Sequence, residues 1–196
     1  MRVDIDAFRT WIVPGTRVLD LACGDGALLE ALQTTRSATA YGLEIDPRAI
    51  NECLRKGLNV IESDLNRGLS NFPDLSFDTV VMANSLQAMR HPHLLLDEML
   101  RVGKQCIVTF PNFGHWRVRG YLMFRGRMPV TKNLAYQWYD TPNIHFFTIS
   151  DFEALLADKG INVVQRKFIG EPEWEKKLRE FWPNLFAETA IYHLTR

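Results

Sequence analysis

Apolar positions along the chain fall into short β-branched runs separated by stretches with helical spacing, and most of the boundaries carry turn or capping residues. Arg17 to Leu21, Thr39 to Ile45 and Asn59 to Ser63 read as strands. Phe77 to Ala83 is a mostly apolar run, the pattern of a strand buried on both faces of a parallel sheet, and Gln105 to Phe110 reads as a fifth strand. Helices are expected over residues 3 to 12, stopped by Pro14-Gly15, and over Ala27 to Gln33. A third starts at Asp46-Pro47, an N-cap with proline at the first helical position, and closes at Gly57; a fourth runs from Pro92 to Val102 and ends at Gly103. Strand alternating with helix predicts an α/β protein.

The rhythm breaks between Pro111 and Ile144, where Gly114, Gly120, Gly126, Pro129 and Pro142 leave no clear period, although part of the interval has helical character. Order resumes at Ser150, which has capping-box spacing to Glu153 ahead of a helix ending at Gly160. Ile161 to Ile169, Trp174 to Phe181 and Ala187 to Leu194 then read as strand, helix and last strand.

Composition narrows this picture. With 196 residues, 46% apolar content and no long apolar run, one compact domain spanning 1–196 is expected. Lys plus Arg equals Asp plus Glu at 23 each, so the net field offers no general attraction for nucleic acid or an anionic membrane. Cys23, Cys53 and Cys106 are odd in number and contain no CxxC pair, which argues against a disulfide framework and against a zinc site. No stretch resembles a signal peptide or the ~20-residue apolar span of a membrane helix, so a cytoplasmic location is expected.

The candidate chemistry is concentrated at Asp20-Leu21-Ala22-Cys23-Gly24-Asp25-Gly26, where a strand runs directly into Gly-x-Gly and then a helix. Open α/β sheets bind ligands at such a place. The third glycine of the dinucleotide fingerprint is replaced by Leu29. A pyrophosphate here would meet Asp20 and Asp25 with no evident cation to offset them, a repulsion on the order of 1 to 4 kcal/mol per close pair. S-adenosylmethionine carries a sulfonium and an ammonium and no phosphate, so the same acids become attractive.

Glu44, at the end of the second strand, is placed to accept from both ribose hydroxyls, with Ile45 beside it. Asp64 is placed to take the adenine amino group with Leu65 covering the ring, and Asn84-Ser85 ends the fourth strand across the switch point. Together with Ala22, Gly24 and Gly26 these residues form the expected cofactor site. Each acid also has a structural alternative: Asp20 satisfying turn amides, Glu44 as a solvated strand end, Asp64 as a turn cap. His91 and His93 flank Pro92 without a third ligand nearby in sequence, so a structural or solvent-facing role is expected and no metal site. Cys23 reads as a small residue in a tight turn.

VLDLACGDGALL followed by YGLEID resembles the first two motifs of class I S-adenosylmethionine-dependent methyltransferases. That resemblance implies a three-layer, Rossmann-like α/β fold whose seven-stranded, mostly parallel sheet has an antiparallel last strand. FPDLSFDTVVMANSLQAMRHPHLLLDEMLRVGK, FPNFGHWRVRGYLMFRGRMP and WYDTPNIHFFTISDFE are similar to the MetW family of methionine biosynthesis proteins. The MetW resemblance implies a role in making methionine alongside homoserine O-acyltransferase as partner, and it implies no particular methyl acceptor. Either S-adenosylmethionine or its demethylated product, S-adenosylhomocysteine, fits the implied pocket.

The insert at about 111–145 gathers His115, Trp116, Arg117, Arg119, Tyr121, Phe124, Trp138 and Tyr139 with Asp140 as its only acid. Arginines interleaved with aromatics suit a lid over the cofactor, a docking surface for a partner, or a packed structural loop. Should methyl transfer occur, the protein must mainly align an acceptor in line with the carbon–sulfur bond, and His115, Tyr139 and His145 are the candidate bases. Ala83-Asn84-Ser85-Leu86 lacks the Asn/Asp-Pro-Pro-Tyr/Phe pattern of amide and adenine N-methyltransferases, which counts against those acceptors. A regulatory binding subunit and a small-molecule methyltransferase therefore remain the two competing functions.

Overall fold

The computed structural model describes residue 6, residues 9–131 and residues 134–196. Seven strands form one sheet: β1 (Arg17–Leu21), β2 (Thr39–Glu44), β3 (Asn59–Glu62), β4 (Phe77–Ala83), β5 (Gly103–Pro111), β6 (Asn162–Ile169) and β7 (Thr189–Thr195). Their order is β3-β2-β1-β4-β5-β7-β6, with β7 antiparallel to both neighbours and the other pairings parallel. This is the α/β sheet expected from the sequence, its last strand reversed.

Helices lie on both faces. Along β1, Val18 joins a cluster with Leu28, Leu29 and Leu32 of α1 (Ala27–Arg36) and Cys53 of α2 (Pro47–Arg55). Leu19 and Leu21 point the other way, into the larger core with α3 (Pro92–Val102) and α5 (Ile149–Asp158). Side chains alternating across a strand thus produce the three layers. The stripe Leu95, Leu96, Met99 and Leu100 of α3 is fully turned to that core, each side chain contributing about 1.5–3 kcal/mol.

Several boundaries move. Of the helix expected over residues 3–12, residues 3–5, 7 and 8 lie outside the described residues, and Arg9–Trp11 form a short 3-10 turn. Gly103 opens β5 rather than merely ending α3, because its backbone is extended and pairs with Phe77. The cap of α5 is Thr148, not Ser150: Thr148 Oγ1 accepts from the Asp151 amide while the Asp151 carboxylate accepts from the Thr148 amide. The capping box is real but two residues earlier, since Ser150 already lies within the helix. Trp174–Phe181 divides into a 3-10 turn, Glu173–Glu175, and α6 (Lys176–Phe181), followed by the single turn α7 (Pro183–Phe186). Within the insert, Trp116–Arg125 forms α4, closed by Gly126 in the left-handed region. Among the described residues no helix is long and apolar enough to cross a membrane.

Candidate functional site

β1 pairs with β2 on one side and with β4 on the other, so the chain order reverses beside Leu21, the place where open α/β sheets bind ligands. The turn leaving β1 is set by positive backbone φ at Ala22 (57°), Gly24 (56°) and Gly26 (75°). Gly26 has a second constraint: a Cβ there would stand 2.4 Å from Leu58 Cδ1 and 2.9 Å from Cys53 Sγ. At Gly24 a Cβ would meet nothing within 4 Å, so the backbone there faces open space. Cys53 Sγ donates to the Gly24 carbonyl at 3.3 Å and holds the turn against α2. Cys23 is buried and burial pushes its thiol well above the usual range, in keeping with a packing residue.

Glu44 is not a solvated strand end. Its Oε2 accepts from the Gly24 amide at 2.8 Å, and its Oε1 accepts from Ile45 and Asp46 amides at 2.8 and 3.0 Å. A carboxylate offers about four acceptor sites, so with three occupied one is left on Oε2. One ribose hydroxyl fits this arrangement directly; a second requires one of the amide bonds to be shared.

Asp20 does not satisfy turn amides through Oδ1, which is buried without a hydrogen-bond partner. Burial, and then the neighbouring Glu44 charge, push its carboxyl up to about 8. Asp20 is therefore largely protonated at neutral pH until a cation approaches. Two things differ from the charge pattern expected at this turn: burial keeps the Asp20 carboxyl raised, and a cation does stand near the turn. Lys56 Nζ donates to the Asp25 carbonyl at 2.7 Å and lies 3.6 Å from Glu30, so its charge is already engaged on the outer side. Asp25 itself is exposed and accepts from the Ala27 amide at 3.1 Å.

Ile45 is 58% exposed and Leu65 is buried. Asp64 accepts from the Asn66 amide at 3.0 Å and caps the 3-10 turn Leu65–Arg67, bonds that hold its carboxyl below the usual range. The capping alternative is thus present, and it leaves Asp64 Oδ2 only a distant contact with Arg67, 3.9 Å away.

Across the switch point, Asn84 sits at φ 53°, its amide donating to the Thr109 carbonyl at 2.9 Å. Its Oδ1 is buried and unpartnered, and so are Gln87 Oε1 and His145 Nε2. Gln87 ties these together: its Nε2 donates to the Asn84 carbonyl at 2.6 Å, and its own carbonyl accepts from the Ile144 and His145 amides, each at 2.9 Å. Gln87 is the residue that sequence reasoning missed; the available signal was a polar residue in an otherwise apolar stretch after Asn84-Ser85. Of the candidate bases, His145 reaches the end of β4 in this way. His115 is buried in a different cavity beyond β5, and Tyr139 is 71% exposed. His91 and His93 are exposed and face each other edge to face.

The family described as "Methionine biosynthesis protein MetW" matches residues 2–194. The bifunctional methionine biosynthesis protein MetXA/MetW of Rhodopirellula baltica is 34% identical over 200 residues, which cover 97% of this chain and 32% of that protein. The chain thus spans about a third of that relative's length. Among solved structures, an S-adenosylmethionine-dependent methyltransferase from Archaeoglobus fulgidus is similar with a TM-score of 0.71 at 18% identity, covering 98% of this chain and 92% of that one. Another from Mesorhizobium loti gives 0.72 at 15% identity, covering 97% and 96%. At these identities the likeness establishes the class I methyltransferase fold. Sequence and fold together place this chain in the MetW family of methionine biosynthesis proteins.

Proposed function

We propose that this chain, read as one domain over 1–196 with an insert at 111–145, binds S-adenosylmethionine or S-adenosylhomocysteine and supports homoserine O-acyltransferase as its partner. The fit to the cofactor rests on the protein's own groups. Asp20 Oδ1 is an orphaned buried acceptor, and Gly24 presents backbone to open space. Glu44 keeps one acceptor site for a hydroxyl. Asp20 receives the positive charge of the ligand, and Ile45 and Leu65 flank the adenine.

The observation that carries the partner role is the bifunctional MetXA/MetW relative, in which a MetW part belongs to a longer polypeptide with a second methionine-biosynthesis part. The insert supplies a suitable surface: Met123, Phe124, Trp138 and Tyr139 are each more than 70% exposed. Large exposed apolar patches mark interaction sites, and aromatics dominate their energetics. The test is acyl transfer by homoserine O-acyltransferase measured with and without this chain. Activity should rise with added chain and fall back with Phe124→Ser plus Trp138→Ser. No change in activity, together with no complex on gel filtration, removes the partner role. Repeating the assay with S-adenosylmethionine present asks whether the cofactor biases the complex, which requires unequal binding to the free and docked states.

A second reading is methyl transfer to a small molecule. It is favoured by Asn84 Oδ1, Gln87 Oε1 and His145 Nε2, buried polar atoms without a hydrogen-bond partner around the end of β4. S-adenosylmethionine supplies an already activated methyl group, so these residues would orient the acceptor and His145 would take a proton where the acceptor must lose one. Methyl turnover lost in His145→Phe while activation of the acyltransferase is retained separates the two readings.

A further inference from the structure

The connection between β6 and β7 inverts the usual placement of side chains. In the 3-10 turn Glu173–Glu175 and in α6 the inward positions are charged: Glu175 is fully buried, and Arg179, four residues on, is 5% exposed. The outward positions are aromatic. Trp174, Phe181 and Trp182 are 69%, 78% and 62% exposed, and with the half-buried Leu178 they recur at i, i+4, i+7 and i+8, the spacing of one helical stripe. Packing within a single chain favours the reverse, because charged side chains rarely go fully inside and large aromatics dominate the energetics of cores and interfaces. A segment with its charges inside and its tryptophans in water presents an apolar face suited to cover by another molecule.

The charges around the stripe narrow the kind of molecule. Glu173, Lys176, Lys177 and Glu180 are all exposed, two of each sign, so the face carries no net charge to attract nucleic acid or an anionic membrane. An apolar centre within a rim of mixed charge matches a protein surface.

Topology places the stripe on the same end of the sheet as the insert. Ile169, Thr189 and Pro111 stand in register across β6, β7 and β5, so the 170–188 connection and the 111–145 insert leave the sheet together. The two are also tied to each other. Asn112 Nδ2 donates to the Asn184 and Ala187 carbonyls at 3.1 and 2.8 Å, and the guanidinium of Arg117, in the first turn of α4, stands 4.0 Å from Glu175.

The area also points to joint use. At 150–250 Å2 per large aromatic side chain, the outward Met123, Phe124, Trp138 and Tyr139 supply roughly 450–700 Å2, short of the ~800 Å2 that each side of a stable complex contributes. Trp174, Phe181 and Trp182 add roughly 300–500 Å2 and bring the two surfaces together to that size. In the bifunctional MetXA/MetW relative the matched region is 32% of the protein, so a second part is tethered to it in every molecule.

We infer that the 174–182 stripe is a second contact surface for homoserine O-acyltransferase, covered in the same complex as the insert. This rests on the partner role proposed above and adds a surface that the insert does not contain.

Calorimetric binding of the full chain to purified homoserine O-acyltransferase tests it. Trp174→Ser plus Trp182→Ser should weaken the complex at least about tenfold, as truncation of interface tryptophans does, with the melting temperature unchanged. Phe124→Ser plus Trp138→Ser should weaken it independently. Wild-type affinity in the stripe variant, with the insert variant weakened, overturns the stripe and leaves the partner role standing; no complex with the wild-type chain overturns both. Sedimentation equilibrium covers the case of a second copy: a wild-type dimer that the stripe variant abolishes, with acyltransferase affinity unchanged, overturns the inference. Phosphatidylglycerol vesicles do the same for a lipid surface, if the wild type binds them, the variant does not and acyltransferase affinity is unchanged. Should the double substitution lower the melting temperature, amide hydrogen exchange over residues 173–182 of the wild-type chain decides: slower exchange in the complex supports the contact, and unchanged exchange overturns it.

Discussion

The Gly24 turn and the 111–145 insert each follow the C-terminal end of a parallel strand, β1 and β5 respectively, yet they spend their side chains differently. In the turn, groups distant in sequence converge on the backbone: Glu44 on the Gly24 amide, Cys53 on its carbonyl, Lys56 on the carbonyl of Asp25. One buried acceptor, Asp20 Oδ1, is left over. In the insert the groups turned outward are apolar, with Met123, Phe124, Trp138 and Tyr139 facing solvent. A site preorganised by its own protein recognises a small ligand through a few unsatisfied polar atoms, whereas a surface of exposed aromatics gains energy only when another surface covers it. The two regions thus fit the two halves of the proposed function.

The sharpest way to break this contrast is at the glycines. Gly26→Ala forces a side chain into φ 75° and against Leu58 and Cys53, costing about 1–2 kcal/mol for the backbone and 1–3 kcal/mol for overpacking. Urea unfolding should show a loss of about 2–5 kcal/mol, with cofactor binding lost as the turn distorts. Gly24→Ala adds its methyl to open space and should cost only about 1–2 kcal/mol, from the positive φ, while still blocking the ligand. Equal destabilisation by the two substitutions would mean the packing against α2 does not shape the turn.

A smaller and opposite effect is expected at Asp20. Its carboxyl in the folded protein titrates near 8, above its ordinary value of 3.8, so between those pH values the native state holds a proton that the unfolded chain has lost. Stability from this group therefore falls as pH rises from about 4 to about 8 and is level above that. Asp20→Asn removes the penalty: at pH 8 its melting temperature should exceed that of the wild type by on the order of 5 °C, and the gap should shrink toward pH 4. S-adenosylmethionine affinity should fall on the order of a hundredfold in the same variant. Relative to Asp20→Asn, wild-type affinity should tighten as pH rises from 6 to 9, with proton release on binding visible as a buffer-dependent heat. A pH-independent ratio between the two proteins would show that Asp20 does not meet the ligand's charge.

Asp20 also shows how far the sequence could be read. The strand, the Gly-x-Gly turn and the helix after it are local, so Asp20, Gly24 and Gly26 announce themselves within a few residues. The same holds for Asp46-Pro47, which caps α2 as its spacing predicts. What fixes the state of the site is not local. Lys56 reaches Asp25 across 31 residues, and Gln87 receives a backbone segment from the far end of the insert. Burial, which makes Asp20 neutral and leaves His115 Nε2 without a partner, is a property of the assembled layers and has no residue pattern of its own. The bounds of α4 could not be placed within the interval, whose partly helical character is legible, because much of its surface is apolar on the solvent side and no stripe separates an inner from an outer face: Val118 is its one buried residue.

The smallest effect lies where the insert rejoins the core. Thr148 and Asp151 cap α5 reciprocally, and α5 delivers Phe152 against Phe110 in the main cluster. Thr148→Ala should cost about 1 kcal/mol, lowering the melting temperature by roughly 2–4 °C, whereas Ser150→Ala, inside the helix, should stay within about 0.5 kcal/mol of the wild type. The returning segment of the insert is tied just ahead of this cap, where the Phe113 amide donates to the Phe147 carbonyl at 3.2 Å. Acyltransferase activation measured on Thr148→Ala therefore asks whether the insert depends on that corner. If activation survives the loss of the cap, the aromatic surface is held independently of it; if it falls together with stability, the core and the docking surface are one cooperative unit.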